Sequence, residues 1–420
     1  MRWIYNLFIG GMTTAIRLGS SSTPKLKRML QGRETVFPVV EAFRKSHPSP
    51  LLWIHVASLG EYEQAKPVIR TFKSHYPFWA VAVSFFSPSG YDNVIKKKQE
   101  FVDFITYLPF DTPQKAKKFV ATLSPNVAIF VKYDLWANHI REVGKENIPL
   151  YLVAASFRNE QVYFKFYGGF FRNVLRSFDH IFTQNEYSVE LLKKIDCEQC
   201  SVAGDPRFDN VAAISRQPRY FPEIEVQIKQ PVMVLGSVWQ EDMDILIPFI
   251  NAAENIQFII APHDIHSPAM DRWRAAIKKT SLKYSEMQDE LPNQAWEVLF
   301  IDNIGMLSSL YQFAQWAYVG GAFGKGLHNI LEPLAFGIPV IFGKLKKVSK
   351  FPEAAISESY GCGFPVDSLA SLGRTMGKLH EKEAYQKACR AAKKLLEDNQ
   401  GSAEKIVSEI KKQLEWRKVG

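Results

Sequence analysis

An α/β fold with two Rossmann-like domains facing a central cleft is predicted, on three observations. Apolar runs of strand length recur with helical patterns between them. Each run is nearly continuous in apolar residues, as suits parallel strands covered on both faces. The rhythm breaks once, over residues 204–230, and then restarts, so 420 residues divide into two α/β domains.

The first element is an uncharged stretch, Trp3 to Ile16, inside a basic segment. Residues 1–50 hold eight Lys/Arg against two acids, so six of the nine net positive charges lie in this eighth of the chain. Fourteen residues are too few for a spanning helix, which needs about 20 apolar ones. Two readings stay open: a buried first helix, or a membrane-associating helix (residues 1–30) lying in the interface of the cytoplasmic leaflet and held by anionic lipid. A cleavable secretory signal is not indicated.

An N-terminal domain over 31–203 follows. Its strands are expected at 51–57, 78–85, 125–131, 149–156 and 179–185, and its helices at 62–75, 88–99, 112–123, 136–146, 160–177 and 186–195. The connection 204–230 holds three prolines and no convincing strand. Strands resume at 231–237, 257–262, 297–302, 315–321 and 339–343 in a C-terminal domain over 231–400. A last helix within 401–420 carries Ile406, Ile410 and Leu414 at spacings of four, and is expected to pack back on the body.

Composition narrows the function. Hydrophobic residues at 46% and charged residues at 23% exclude general disorder, and near-average Gly and Pro exclude collagen-like or mucin-like chains. The formal charge of +9 calls for an anionic partner without naming it. Most aromatics lie inside apolar strands rather than interleaved with basic residues, which argues against nucleic acid. Four cysteines make no disulfide framework, and the single CxxC (Cys197, Cys200) lacks the second pair or histidines that zinc needs.

Chemistry concentrates in a few strand-to-helix turns. In HVASLGEYE (55–63), a buried strand ends before Gly60, and Glu61 opens a helix at the strand's carboxyl end. It is either a carboxylate favoured by the helix N-terminus or a general base. In YVGGAFGKGLHNILEP (318–333), glycines including Gly324 and Gly326 follow a strand and precede a helix expected to start near His328, an arrangement suited to an anion. Asn329 and Glu332, three apart, share a face where Glu332 can accept hydrogen bonds from sugar hydroxyls; capping and packing is the plainer role. Ser237 and Glu241 (GSVWQED) and Pro262 and His263 (APHDIHSP) point towards the same cleft, and Arg207 (GDPRFD) stands beside the domain crossing, where it can hold a phosphate or carboxylate. The HDIH string (263–266) offers too few ligands for a metal site.

These motifs carry a resemblance. HVASLGE, YDLW, GDPRFD, GSVWQE, the APH loop, DNIGML and GGAFGKGLHNILEP, after a hydrophobic and basic N-terminus, follow the order of the 3-deoxy-D-manno-octulosonic acid (Kdo) transferases of lipopolysaccharide synthesis, and the chain resembles that family over essentially its whole length. The resemblance implies a GT-B glycosyltransferase that moves Kdo from CMP-Kdo to a lipid A precursor at the cytoplasmic face of the inner membrane. It implies Glu61 as proton acceptor, and donor contacts from Pro262, His263, Ile304, Gly305, Met306, Asn329, Ile330, Leu331 and Glu332. The chain departs from the family where His263 replaces an arginine, where Lys132 replaces an acid two positions before Asp134, and where GDPRFD replaces a Gly-Asn-x-Lys-Phe pattern.

The chemistry expected is a single displacement with inversion at the anomeric carbon, in which Glu61 takes the acceptor proton and the glycine-rich loop meets the leaving phosphate. Neither a metal nor a cofactor is expected, since CMP-Kdo is itself a substrate. The competing readings are another two-domain nucleotide-sugar enzyme, such as an epimerase or a lipid-linked sugar transferase, and a non-catalytic basic protein binding membrane or RNA.

Overall fold

Alternation decides which way each strand's side chains face. In β1 (Leu51–Val56) of the computed structural model, Leu51 and Trp53 join one buried cluster while Leu52, Ile54 and Val56 join another on the opposite face of the sheet. Helices Val36–Ser46, Pro113–Leu123 and Ala137–Lys145 cover the first face; Leu59–His75 and Ser402–Val419 cover the second. A strand buried on both sides favours apolar residues at most positions, which is why these runs read as nearly continuous. The structure describes residues 1–265, 268–287, 295–346 and 351–419.

The chain forms two compact units, Met1–Asn210 with Gln400–Gly420, and Val211–Asn399. The first holds β1, β2 (Ala80–Phe85), β3 (Phe104–Tyr107), β4 (Val127–Val131), β5 (Leu150–Ala155), β6 (His180–Thr183) and β7 (Cys200–Val202), all parallel, in the order β3-β2-β1-β4-β5-β6-β7. The second holds β8 (Val232–Val238), β9 (Gln257–Pro262), β10 (Ser281–Lys283), β11 (Val298–Phe300), β12 (Trp316–Val319), β13 (Val340–Gly343) and β14 (Gly363–Val366), also parallel, in the order β10-β11-β9-β8-β12-β13-β14. Strand order reverses between β1 and β4 in one sheet and between β8 and β12 in the other. Doubly wound sheets open a crevice at such switch points, beyond the strands' carboxyl ends.

Several elements differ from expectation. The short edge strands β3, β7, β10 and β14 were not anticipated. Residues 160–177 are not one helix but a 3-10 turn, Val162–Phe164, followed by helix Gly169–Leu175. Gly168 permits the tight approach at the break, where a Cβ would lie 2.0 Å from the Val162 carbonyl oxygen. The connection is not irregular throughout: it contains helices Pro206–Arg216 and Pro222–Glu225. Asp209 accepts from the amides of Gly401 (2.6 Å) and Ala403 (2.8 Å), so the GDPRFD segment caps the helix Ser402–Val419, whose Ile406 and Ile410 are buried against Leu59–His75.

The first helix, Arg2–Gly19, is docked along one side only. Ile9 and Thr13 are buried, and the Tyr5 hydroxyl donates to Asp111 at 2.6 Å. Trp3, Ile4, Leu7, Phe8 and Leu18 are exposed. No described helix is long and apolar enough to cross a membrane.

Candidate active site

At the β1/β4 switch point the sequence converges on a carboxylate pair. Glu61 stands in the first turn of helix Leu59–His75, and its side chain turns back to accept from the Ala57 amide. Asp134 follows β4 and accepts from the Trp136 indole N–H (2.8 Å) and from His55 Nε2 (2.8 Å). A relay fixes that histidine: Trp53 Nε1 donates to Ser84 Oγ (2.8 Å), and Ser84 Oγ lies 2.9 Å from His55 Nδ1. Since Trp can only donate, Ser84 keeps its own proton for His55 Nδ1, which assigns the ring proton to Nε2 and directs it at Asp134.

This surrounding acts on Glu61. Burial, and then the Asp134 carboxylate, raise its pKa above the ordinary range, while the Ala57 N–H, Lys132 and His55 pull it back. A carboxylate raised in this way is a better proton acceptor near neutral pH than a free one. Lys132 sits at φ 64°, a left-handed conformation that a non-glycine residue adopts only at a cost of order 1–3 kcal/mol. Asp134, His55 and Trp136 were not singled out from the sequence as site residues, although YDLW and HVASLGE contain them.

The second switch point is organised by a buried carboxylate. Asp242 Oδ2 accepts from the amides of Trp239 and Gly321, each at 2.9 Å, and its Oδ1 accepts from the Tyr318 hydroxyl at 2.9 Å. Asp242 thereby ties the end of β8 to the glycine-rich loop after β12. Gly320 and Gly321 are required there: a Cβ on Gly320 would lie 2.6 Å from the Asp242 carboxylate, and Gly321 adopts φ +95° with the Gly326 carbonyl 2.3 Å from where a Cβ would stand.

A cavity of about 300 Å³ opens beside this knot, lined by Ser237, Gly305, Leu307, Ser308, Tyr311, Val319, His328, Asn329 and Glu332. Five of the expected residues line it: Ser237, Gly305, His328, Asn329 and Glu332. Asn329 donates to Glu332 at 3.2 Å. His263 is exposed and stacks on both Trp239 (ring centroids 4.3 Å) and His328 (4.5 Å), while Lys325 lies over the Trp239 ring at 4.2 Å. Trp239 Nε1 donates to His328 Nε2 at 3.0 Å, so the histidine proton resides on Nδ1. Burial, and then His263, lower the His328 pKa to about 4, which keeps the ring neutral at physiological pH.

Other expected residues lie elsewhere. The Gly324 and Gly326 amides both turn inward to the Gly321 carbonyl (3.2 and 2.9 Å), so the loop does not present them to an anion. The helix expected near His328 begins only at Leu331, leaving His328 in the loop. Pro262, Met306, Ile330 and Leu331 are buried beside the cavity elements without lining it, and Ile304 is exposed. Arg207 belongs to the N-terminal unit, where it pairs with Asp205 at 2.7 Å. Of the HDIH string, His266 lies outside the described residues. The four cysteines are free thiols, and no cluster of three metal-ligating side chains occurs among the described residues.

A family profile described as 3-deoxy-D-manno-octulosonic-acid transferase (kdotransferase) matches residues 31–210, the stretch that holds Glu61, Asp134 and their relay. Two relatives of that name extend the likeness along the chain. One, from Chlamydophila psittaci, is 28% identical over 323 residues, covering 74% of each chain; the other, from Haemophilus influenzae, is 28% identical over 386 residues, covering 88% of each. The chain is thus similar to Kdo transferases over most of its length. Among solved structures, a putative UDP-N-acetylglucosamine 2-epimerase from Listeria monocytogenes shares the fold at 14% identity, with a TM-score of 0.61 over 87% of this chain and 97% of that one. This likeness supports a glycosyltransferase that adds Kdo in lipopolysaccharide biosynthesis. Glu61 lies within the matched N-terminal stretch, and the cavity lies in the C-terminal unit outside it.

Proposed function

We propose that this protein moves Kdo from CMP-Kdo to a hydroxyl of a lipid A precursor by a single inverting displacement, with Glu61 as general base. The observation that carries this reading is the setting of Glu61: it is at the carboxyl end of β1, at the switch point, and Asp134 raises its pKa while Lys132 limits the rise. The acceptor hydroxyl loses its proton to Glu61 as its oxygen attacks the anomeric carbon, and the bond to the CMP phosphate breaks with its electron pair leaving on the phosphate. Neutral donors of the cavity, Ser237, Ser308 and the Nδ1–H of His328, meet that developing charge.

The same proposal seats the protein on the cytoplasmic face of the inner membrane. Helix Arg2–Gly19 turns Trp3, Leu7 and Phe8 outward, flanked by Arg2 and Arg17, and the loop leading to Phe170, which packs on Tyr5, exposes Phe166 and Tyr167 as well. Such a face suits a helix lying in the interface rather than spanning the bilayer.

The deciding experiment incubates the purified protein with CMP-Kdo and a tetraacylated lipid A precursor and weighs the lipid. One or two Kdo increments are expected, with no increment from UDP-sugars. An unchanged lipid mass overturns the proposal.

A further inference from the structure

The N-terminal charge excess contains a buried cation that the chemistry above does not use. Arg33, in the last turn of helix Pro24–Glu34, is 6% exposed. Its Nε, Nη1 and Nη2 donate to the carbonyls of Leu108 (2.8 Å), Met29 (2.9 Å) and Phe86 (2.7 Å), leaving two of the five guanidinium N–H groups over. The rings of Phe86, Tyr107 and Phe110 box it in at 4.8, 5.0 and 4.7 Å. A buried cation normally comes with a counter-charge, and no carboxylate pairs with this one among the described residues. Burial lowers its pKa to about 9, which still leaves it charged at neutral pH.

A second cation shares the same ring. Lys115 Nζ lies 5.6 Å from the Phe110 centroid, is half-buried, and has no ion pair among the described residues. Burial and then the charges of Arg17 and Arg33 hold its pKa below the ordinary lysine range. The nearby acids are committed elsewhere: Asp92 to Arg28 at 3.1 Å, and Asp111 to His139 (2.5 Å), Tyr5 (2.6 Å) and the Asn138 amide (3.0 Å). The close approach that buries Arg33 depends on Gly32, where a Cβ would lie 2.2 Å from the Tyr107 ring.

Position gives the cluster its meaning. The Phe86 and Leu108 carbonyls lie just past the ends of β2 and β3, at the same end of the sheet as Glu61. The Phe86 ring touches Arg33 on one side and stacks on Trp136 (4.4 Å) on the other, and Trp136 donates to Asp134, whose charge Glu61 feels. An anion held by these cations would therefore sit one pair of rings from Asp134, the carboxylate whose charge Glu61 feels. A phosphomonoester, carrying between one and two negative charges and three acceptor oxygens, matches two or three clustered cations where a single carboxylate would leave an excess.

We propose that Arg33 and Lys115, with Arg17 at the rim, form an anion subsite that takes a phosphomonoester borne by the acceptor and so orients its hydroxyl towards Glu61. This rests on the transferase reading for its substrate. Arg33 is tied into the fold by three carbonyls, so the test uses the half-buried Lys115 and the exposed Arg17.

Lys115→Gln, Arg17→Gln, the double variant and the conservative Lys115→Arg are assayed with the phosphorylated lipid A precursor and with its dephosphorylated counterpart. Each Gln variant is expected to raise the KM for the phosphorylated acceptor about tenfold. The KM for CMP-Kdo and kcat should hold, Lys115→Arg should restore the acceptor KM, and the dephosphorylated acceptor should show a high KM in the wild type that the variants do not raise further. Equal effects on both acceptors, or none, overturn the proposal. So does a loss seen only as weaker binding to phosphatidylglycerol vesicles, which would assign the cations to phospholipid headgroups. A parallel 31P line-broadening titration with inorganic phosphate needs no transfer reaction. Broadening lost in the double variant supports the subsite even if no Kdo is transferred, and broadening that persists in it counts against the subsite even if transfer succeeds.

Discussion

Trp239 Nε1 donates to Nε2 of His328 across 89 residues of sequence, at 3.0 Å, and so decides which nitrogen of that histidine carries its proton. The indole has no acceptor to offer in return, so a protonated His328 would set donor against donor. Burial acts in the same direction and brings the pKa to about 4. The result is a neutral ring in the cavity wall whose remaining N–H is available to an anion.

Trp239→Phe keeps an aromatic ring against His263 but removes the donor. The 15N side-chain spectrum of His328 is expected to change from a single Nδ1–H tautomer to a mixture, with the KM for CMP-Kdo rising and the KM for acceptor unchanged. An unaltered tautomer in the variant would show that Trp239 only packs. There is also a pH consequence. The unfolded histidine takes up its proton near pH 6.5 and the folded one only near 4, so stability falls as pH drops through that window. Thermal melts of His328→Gln should lose less between pH 6.5 and 4 than those of the wild type.

At Glu61 the neighbouring charges make opposite predictions. Asp134 raises the pKa and Lys132 lowers it. The acid limb of the kcat/KM profile is therefore expected above the usual glutamate range, moving to lower pH in Asp134→Asn and to higher pH in Lys132→Met. Glu61→Gln should lose 10²- to 10⁴-fold in turnover while melting like the wild type. Limbs that move together in both variants, or near-normal turnover of Glu61→Gln, would remove Glu61 as the base.

How much of this was legible in the sequence depended on whether the signal was local. Glu61 could be found because HVASLGE holds strand, turn and helix start within seven residues. Its partners could not, since Asp134 meets Glu61 only because β1 pairs with β4 rather than with a sequence neighbour on that side. Trp239 and His328 likewise meet through the pairing of β8 with β12. Among the strands, long buried runs such as Val232–Val238 announce themselves, whereas Ser281–Lys283 and Cys200–Val202 are short, only partly buried edge strands with little apolar signal. The late helix start at Leu331 follows from the glycine-rich loop, where Gly326 at φ +125° extends the turn past His328.

The Asp242 knot should be intolerant of added atoms. Gly321→Ala puts a methyl group 2.3 Å from the Gly326 carbonyl in a backbone conformation that alanine resists. A loss of about 2 kcal/mol or more from the melting of the Val211–Asn399 unit is expected, together with weakened CMP-Kdo binding by calorimetry. Gly361→Ala is the control, because it shares the positive φ (+85°) but meets nothing within 4 Å and lies outside the cavity lining. Its binding constant should match the wild type. Equal losses of donor affinity in both variants would mean that backbone strain anywhere in the unit, rather than the knot itself, governs the cavity.

The exposed side of helix Arg2–Gly19 gives the remaining prediction. Leu7 and Phe8 are 68% and 67% exposed, so replacing them by Glu removes no packing and should leave the melting temperature unchanged. Each large apolar side chain buried in an interface contributes up to about 1.5–3 kcal/mol. The Leu7→Glu, Phe8→Glu double variant is therefore expected to co-sediment with vesicles of phosphatidylglycerol and phosphatidylethanolamine at least tenfold more weakly than the wild type. Raising the salt should weaken wild-type binding further, since Arg2 and Arg17 flank the apolar stripe. Tyr5→Phe separates docking from lipid contact: it breaks the bond to Asp111 that holds the helix against the body, and it should lower the melting temperature without abolishing sedimentation. If the double variant sediments as the wild type does, the outward face of this helix is not what meets the membrane.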